Sequence, residues 1–122
     1  MPENAQEKSQ RVAGQIAAIA AQVKAEEIRI LDLRGLTSFT DFFVICTGRS
    51  NRQVQAIADA MYRDIRAKGT TPLGMEGYDT AQWILIDLGD VVAHIFYPEA
   101  RVYYQIEKMW ADAPEIPYAE AS

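Results

Sequence analysis

Hydrophobic residues recur along the chain with two different spacings, and these spacings predict the helices and strands. A spacing of three or four residues predicts a first helix over about 5–25. Its buried face comprises Val12, Ile16, Ile19 and Val23. The same spacing predicts a second helix. It begins at a capping box formed by Ser50 and Gln53, and it ends at Gly69. Its buried face comprises Val54, Ile57, Met61 and Ile65.

A third helix is predicted near the end of the chain. Pro98 is suited to a first helical turn, and the helix should end before Pro114. The helical spacing there places five residues in the core, namely Val102, Tyr103, Ile106, Met109 and Trp110.

Short apolar runs predict the strands. IRILDL at 28–33 and FFVICT at 42–47 are two of them, and a short edge strand is expected around 73–75. WILIDL at 83–88 and VVAHIF at 91–96 form a further pair. The element order α-β-β-α-(β)-β-β-α predicts an α/β protein of the α+β type, with three helices and a single mixed sheet of four to five strands. Helices should cover one face of this sheet well and leave the other partly open.

Gly89-Asp90 joins the last two runs and fits the tight turn of a hairpin. With this turn, one face of the hairpin is wholly aliphatic and belongs to the core: Ile84, Ile86, Leu88, Val91, Ala93 and Ile95. The other face is mixed and rich in aromatic residues: Trp83, Leu85, Asp87, Val92, His94 and Phe96. Such a composition is typical of a protein interface, and it leaves open whether Trp83 is exposed to a partner or belongs to the core.

Length and charge limit the classes of protein that fit. The 122 residues indicate one domain over 1–122, with an ordered core of about 5–114 and a flexible tail at 115–122. The net charge of −5 indicates little direct nucleic-acid binding and favours a basic protein partner. A single cysteine, the absence of a long apolar run and a polar N-terminus predict a cytoplasmic protein that neither enters nor crosses a membrane.

Asp87, Asp90 and His94 are the first candidates for catalysis. An aspartate could orient the histidine across the hairpin, but nothing in the sequence places a nucleophile such as Cys46 beside them. His94 is more simply a partly buried sheet histidine or part of a binding surface, and Asp90 a turn residue. One cysteine and one histidine cannot make a structural zinc site, and no motif supports a magnesium site.

TGRSN at 47–51 is the second candidate, because a helix N-terminus offers free N–H groups to an anion. Neither a P-loop nor a dinucleotide-binding glycine pattern is present, so a tight turn with a helix cap is the simpler interpretation. Arg49 and Arg52 could bind a phosphate there, or could be solvated. A dimeric module that senses a small anion at this turn remains an alternative function.

Three stretches resemble the ribosomal silencing factor family, also called the Iojap family. They are FTDFFVICTGRSNRQVQAIAD (39–59), MEGYDTAQWILIDLGDVVAHIFYPEAR (75–101) and YYQIEKMW (103–110). Ile106 and Met109 stand where leucines are usual, and the last residues fit no family pattern. The resemblance implies a nucleotidyltransferase-like fold without its catalytic groups. Asp59 and Asp64 fall on a helix here, and Asp87 and Asp90 straddle a turn, so the alternative of a metal-dependent nucleotidyltransferase lacks its paired carboxylates.

The resemblance also implies a function without an enzymatic reaction or a cofactor. Such a protein binds the large ribosomal subunit through its protein number fourteen, blocks joining of the small subunit and is linked to large-subunit biogenesis. The expected apolar anchors are Trp83 and Leu88, although the two-residue turn places Leu88 on the core face. The expected further contacts are Glu76, Asp87, Asp90, His94 and Tyr97. A homodimer through the same face would compete with the ribosome.

Overall fold

In a computed structural model, residues 2–117 form four helices and six strands. The helices are α1 (Ala5–Gln22), α2 (Asn51–Ala67), α3 (Pro98–Tyr104) and α4 (Ile106–Met109). The strands are β1 (Glu26–Asp32), β2 (Phe42–Thr47), β3 (Gly74–Glu76), β4 (Trp83–Asp87), β5 (Val91–Phe96) and β6 (Glu115–Ile116). Within the described residues, no helix has the length and apolar character that a membrane span requires.

The strands form one mixed sheet in the order β3-β4-β5-β2-β1-β6, which confirms the predicted fold class. β2 and β5 are parallel, whereas the other neighbouring pairs are antiparallel. The sheet has six strands rather than four or five, because Glu115–Ile116 pair with Ile30 and Leu31 of β1. Residues 115 and 116, which were predicted to belong to a flexible tail, are therefore part of a strand. The residues after 117 lie outside the described residues.

The layer of α1 and α2 covers one side of the sheet, here called the first face. Each helix begins at a cap. The Asn4 side chain accepts from the Glu7 N–H at 2.8 Å, and Ser50 Oγ accepts from the Gln53 N–H at 3.0 Å. The predicted capping box of α2 is half formed, because Gln53 Oε1 accepts from the Arg49 N–H rather than from that of Ser50. The residues predicted on the buried faces of both helices lie in or against this core.

The opposite side of the sheet, the second face, carries a smaller core under α3 and α4. Its members are Leu31, Leu33, Phe43, Ile45, Val92, Phe96, Ala100 and Ile106. The C-terminal segment covers part of this face and leaves Trp83, Leu85 and Asp87 partly exposed, so the face is partly open, as predicted. The predicted third helix is not continuous. Gln105 adopts a left-handed backbone conformation (φ +50°) and divides it into α3 and α4.

Arg101 fastens this C-terminal segment to the sheet. Its side chain is 10% exposed, donates to Thr47 Oγ1 at 2.7 Å and to the Glu27 carbonyl at 2.9 Å, and pairs with Glu107 at 2.7 Å. Arg29 of β1 also pairs with Glu107. These hydrogen bonds lower the pKa of the Glu107 carboxyl below its usual value. The network holds α3 and α4 against β1 and β2.

Candidate functional site

The β4–β5 hairpin has the register that the sequence predicts. Ile86 pairs with Ala93 and Leu85 with His94, and the Leu88 N–H donates to the Val91 carbonyl at 2.9 Å. Gly89 has φ +87°, which fits a glycine in a tight turn. The aliphatic side of the hairpin is buried against α1 and α2. The aromatic side lies on the second face.

Trp83 is the centre of the aromatic side. Its indole ring stacks on Phe96 at 5.2 Å between centroids and contacts the Tyr104 ring at 4.7 Å. Tyr104 in turn contacts Tyr103, which is 80% exposed. Gly77 is required beside this strand, because a Cβ there would lie 2.1 Å from the Trp83 carbonyl oxygen and φ is +82°.

His94 lies beneath Trp83 and is buried. Its Nδ1 accepts the indole N–H of Trp83 at 3.0 Å, and its ring meets the Phe43 ring edge-on at 4.4 Å. Burial lowers the pKa of His94 to about 4, so the imidazole is neutral at neutral pH. Since Nδ1 accepts, the hydrogen is on Nε2, which has no hydrogen-bond partner among the described residues. His94 therefore supports Trp83 rather than contacting a partner directly.

The candidate triad is not assembled. The Asp87 carboxylate accepts the Gly89 N–H at 2.8 Å and thereby shapes the hairpin turn, instead of orienting His94. Cys46 is fully buried in the first-face core, on the other side of the sheet, and desolvation raises the pKa of its thiol to about 12. Among residues 2–117, no group of three or more His, Cys, Asp or Glu side chains could hold a metal ion.

The turn at Gly48–Ser50 has a structural role. The Gly48 N–H donates to the Phe96 carbonyl, and the Arg49 and Gln53 N–H groups bind side chains of the same turn. A Cβ at Gly48 would lie 2.9 Å from the Val54 backbone nitrogen, so the glycine permits close packing of the turn on α2. Asn51 then donates to the carbonyls of Thr80 and Ala81. These contacts occupy the N–H groups of Gly48, Arg49 and Gln53 and account for the turn as a helix cap.

Four of the predicted contact residues share the second face. Glu76 pairs with Leu85, Leu85 with His94, and Trp83 and Asp87 belong to the same alternating set. Leu85 and Tyr104 also reach the accessible part of this face, although neither is among the predicted contact residues. We call this accessible part the Trp83 surface, and it consists of Glu76, Trp83, Leu85, Asp87 and Tyr104.

Leu88, Tyr97 and Asp90 are not part of the Trp83 surface. Leu88 packs against the first-face core, because the two-residue turn places it on the same side as Ile86 and opposite Val91. The Tyr97 ring also packs against that core, and its N–H donates to the Gln82 carbonyl. Asp90 is exposed at the tip of the hairpin. The two expected anchors, Trp83 and Leu88, therefore lie on opposite sides of the sheet.

Tyr103 and Met109 were predicted to be buried, but they are exposed. The break at Gln105 rotates α4 relative to α3, so the apolar spacing of the sequence is not one continuous helical face. Val102 is exposed for the same reason, whereas Ile106 is buried as predicted.

Comparison with known proteins identifies the family. The family model for ribosomal silencing factor during starvation matches residues 6–122. The chain belongs to the ribosomal silencing factor family. It is 48% identical over 100 residues to the ribosomal silencing factor RsfS of Bacillus subtilis, covering 81% of this chain and 85% of the relative.

Other proteins are similar to most of the chain. The mouse mitochondrial assembly of ribosomal large subunit protein 1 is 30% identical over 98 residues, which span 78% of this chain and 43% of the mouse protein. A crystal structure of a Chromobacterium violaceum protein superposes with a TM-score of 0.83 at 33% identity, covering 91% of this chain and 92% of that one. Membership in the family supports a ribosome-associated role in translation regulation and ribosome biogenesis.

Proposed function

We propose that the protein binds the large ribosomal subunit through its protein number fourteen and sterically blocks joining of the small subunit. The Trp83 surface carries the proposal: an aromatic centre beside Glu76 and Asp87 on an accessible sheet face. Family membership gives the ribosomal context. A blocker of this kind needs a binding surface and no reaction, so we propose that the protein is not an enzyme.

The composition of the surface suits a basic protein partner. Aromatic side chains give large contact areas at the centre of an interface, and carboxylates around them favour a positively charged neighbour. The net charge of −5 adds long-range attraction, which speeds encounter and weakens as salt rises. A specific complex buries about 1,000 Å² or more. Tyr103 is exposed beside the Trp83 surface and enlarges the area that a partner could contact.

A role in assembly of the large subunit follows from the same contact. The name of the mouse relative refers to assembly of the mitochondrial large subunit, and that protein shares the matched core. A protein bound at the joining face would stay on a large subunit until the subunit is released for joining. We therefore propose that regulation of joining and a contribution to biogenesis use one surface.

Binding to purified protein number fourteen tests the proposal directly. Trp83→Ala removes the aromatic centre, and Glu76→Lys reverses one exposed charge without disturbing the core. Gln22→Ala, at an exposed position of α1 on the other side of the sheet, is the control. We expect both surface variants to lose at least tenfold in affinity and the control to bind normally. Circular dichroism should establish that each variant is folded.

The same variants should be compared by sedimentation with large and small subunits. The wild-type protein should co-sediment with free large subunits and reduce the joined fraction, whereas Glu76→Lys should do neither at the same concentration. Leu88→Ala tests whether the partner also contacts Leu88, on the other side of the hairpin tip. Normal binding by both folded variants, Trp83→Ala and Glu76→Lys, would show that another surface carries the contact.

A further inference from the structure

Positive charge is concentrated in one segment of this acidic chain. Residues 49–68 contain five Lys or Arg and two Asp, which gives +3, while the remaining residues carry −8; together these make the net charge of −5. This segment is α2 with the residues that flank it. The average charge therefore hides a basic region that is a single structural element.

Three arginines of α2 lie on one exposed side of the helix. Arg52, Arg63 and Arg66 are separated by 11 and 3 residues, which are close to whole turns of a helix with 3.6 residues per turn. All three are exposed, and the first and last are about 21 Å apart along the axis at 1.5 Å per residue. We call these three residues the arginine stripe. The opposite side of α2 is buried against the sheet and α1.

The stripe is not neutralised by neighbouring carboxylates. Within residues 2–117, Arg52 and Arg66 form no ion pair, whereas Arg49 outside the stripe pairs with Glu26. Arg63 pairs with Asp64 at 2.9 Å, but an exposed pair of this kind is weak and easily exchanged.

The remaining carboxylate on this side of α2 is also engaged. Asp59 accepts the hydroxyl of Tyr78 at 3.0 Å and so has one oxygen already occupied. Asp59 keeps its negative charge, but it forms no ion pair with an arginine of the described residues. The guanidinium donors of Arg52 and Arg66 therefore remain available to a partner.

Tyr62 adds an aromatic group to the stripe. The Arg66 guanidinium lies over the Tyr62 ring at 5.9 Å from its centroid. Both residues border an open groove of about 510 Å³ between α2 and the edge strand β3, which is also lined by Asp59, Arg63, Ala67 and Met75. Guanidinium groups bind phosphates through paired hydrogen bonds, and an aromatic ring beside them can stack on an unpaired base.

We propose that the arginine stripe, with Tyr62, contacts the phosphate backbone of RNA. Three arginines rather than lysines along one line, next to an aromatic ring, fit a nucleic-acid strand better than a scattered set of acidic side chains. The identification of this RNA as ribosomal rests on the proposed function. Binding of RNA by the stripe is independent of that function. This proposal departs from the expectation of little direct nucleic-acid binding, which was based on the net charge of the whole chain.

The stripe and the Trp83 surface can be occupied together. α2 packs on the first face of the sheet, and the Trp83 surface is on the second face. A protein partner on one side and RNA on the other would hold the molecule between two ribosomal components. The orientation of the protein would then be fixed by two contacts, one at the acidic Trp83 surface and one at the basic arginine stripe.

Fluorescence anisotropy with a labelled RNA hairpin tests the stripe in isolation. Three phosphate contacts predict a slope of log affinity against log salt of about −2.7, or about a 40-fold loss between about 50 and 200 mM salt. The combined variant Arg52→Gln, Arg63→Gln and Arg66→Gln should lose most of this binding and its salt dependence. The matched control Lys8→Gln, Lys24→Gln and Lys108→Gln removes the same charge elsewhere and should bind RNA normally.

Two further measurements separate this inference from the proposed function. Trp83→Ala should retain RNA-hairpin binding while losing protein number fourteen, and the stripe variant should do the reverse. If the wild-type protein does not bind the hairpin, or if the lysine control loses as much as the stripe variant, the RNA contact is wrong. Equal competition by polyglutamate would instead assign the stripe to an acidic protein. A failure of RNA binding would leave the proposed contact with protein number fourteen standing, because that contact is measured separately.

Discussion

Acidification is expected to destabilise the fold through one buried side chain, His94. His94 is 4% exposed, and its Nδ1 accepts the Trp83 indole N–H at 3.0 Å. Burial lowers its pKa from 6.5 to about 4. Between these two values the unfolded chain binds a proton that the folded chain does not. The free energy of unfolding therefore falls as the pH falls through this range.

The size of the effect follows from the two pKa values. With pKa values of about 6.5 unfolded and about 4 folded, the cost of keeping His94 neutral is about 2.6 kcal/mol at pH of about 4.5 and about 0.2 kcal/mol at pH of about 7. The expected loss is about 2.4 kcal/mol, a large share of the roughly 5–15 kcal/mol typical of a domain.

Carboxylates contribute mainly below this window. Hydrogen bonds from Arg34 and Arg101 lower the pKa values of Asp32 and Glu107, respectively. A carboxylate with a lowered folded pKa stabilises the fold above its unfolded pKa, and that stability is lost as the pH falls through the folded value. The interval between pH of about 4.5 and 7 is therefore dominated by the histidine.

Urea denaturation followed by circular dichroism at several pH values measures this dependence. His94→Gln is the matched variant, because its side-chain oxygen can accept the indole N–H but it does not titrate. We expect the wild-type free energy of unfolding to fall by about 2.4 kcal/mol between pH 7 and 4.5, and that of the variant to stay nearly constant. Parallel curves for the two proteins would refute the assignment of the effect to His94.

Three other substitutions or treatments test separate features of the fold. Gly77→Ala should destabilise the protein by roughly 1–3 kcal/mol in the same assay, and weaken the proposed binding to protein number fourteen, because the new Cβ collides with the Trp83 carbonyl. Arg101→Ala should cost roughly 1–3 kcal/mol, since it removes the bonds to Thr47 and the Glu27 carbonyl and leaves Glu107 paired with Arg29 alone. Cys46 should resist iodoacetamide in the native protein, because its thiol is buried with a pKa of about 12, and should react in parallel with unfolding by urea.

The features that the sequence predicts well are those with strong local causes. The β4–β5 register follows from an alternating apolar pattern and the Gly89-Asp90 turn, and both are visible in the residues themselves. The end of α2 at Gly69, with φ +100°, has the same kind of local cause. The two-residue strand β6 has none: it forms because the chain returns to an unpaired edge of β1.

The third helix shows where periodicity misleads. The apolar spacing continues from Val102 to Trp110, yet the backbone turns left-handed at Gln105. The Arg101–Glu107 ion pair and the burial of Ile106 hold the segment after the break. These are tertiary contacts, so the sequence pattern alone does not contain the signal for the break.

The candidate site was predicted in part for a related reason. An aromatic, mixed strand face is typical both of an interface and of a small second core, and composition does not separate the two. Here the face is both: Val92 and Phe96 are covered by the C-terminal segment, and Trp83 and Leu85 remain partly accessible. Leu88 was retained as an anchor from the family resemblance against the hairpin register, and the structure follows the register.

The Trp83 side chain is held rigidly on the second face. Trp83 is held from three directions, by the Phe96 ring, by the His94 acceptor and by the close approach of Gly77 to its backbone. A side chain fixed in this way loses little further freedom when a partner binds, so less of the contact free energy is spent on ordering it. The proposed steric block requires a long-lived complex, and a rigid aromatic centre slows dissociation because little of it must be ordered on binding. Loss of the His94 hydrogen bond should therefore raise the dissociation rate more than it lowers the association rate, since the charges that steer encounter are unchanged.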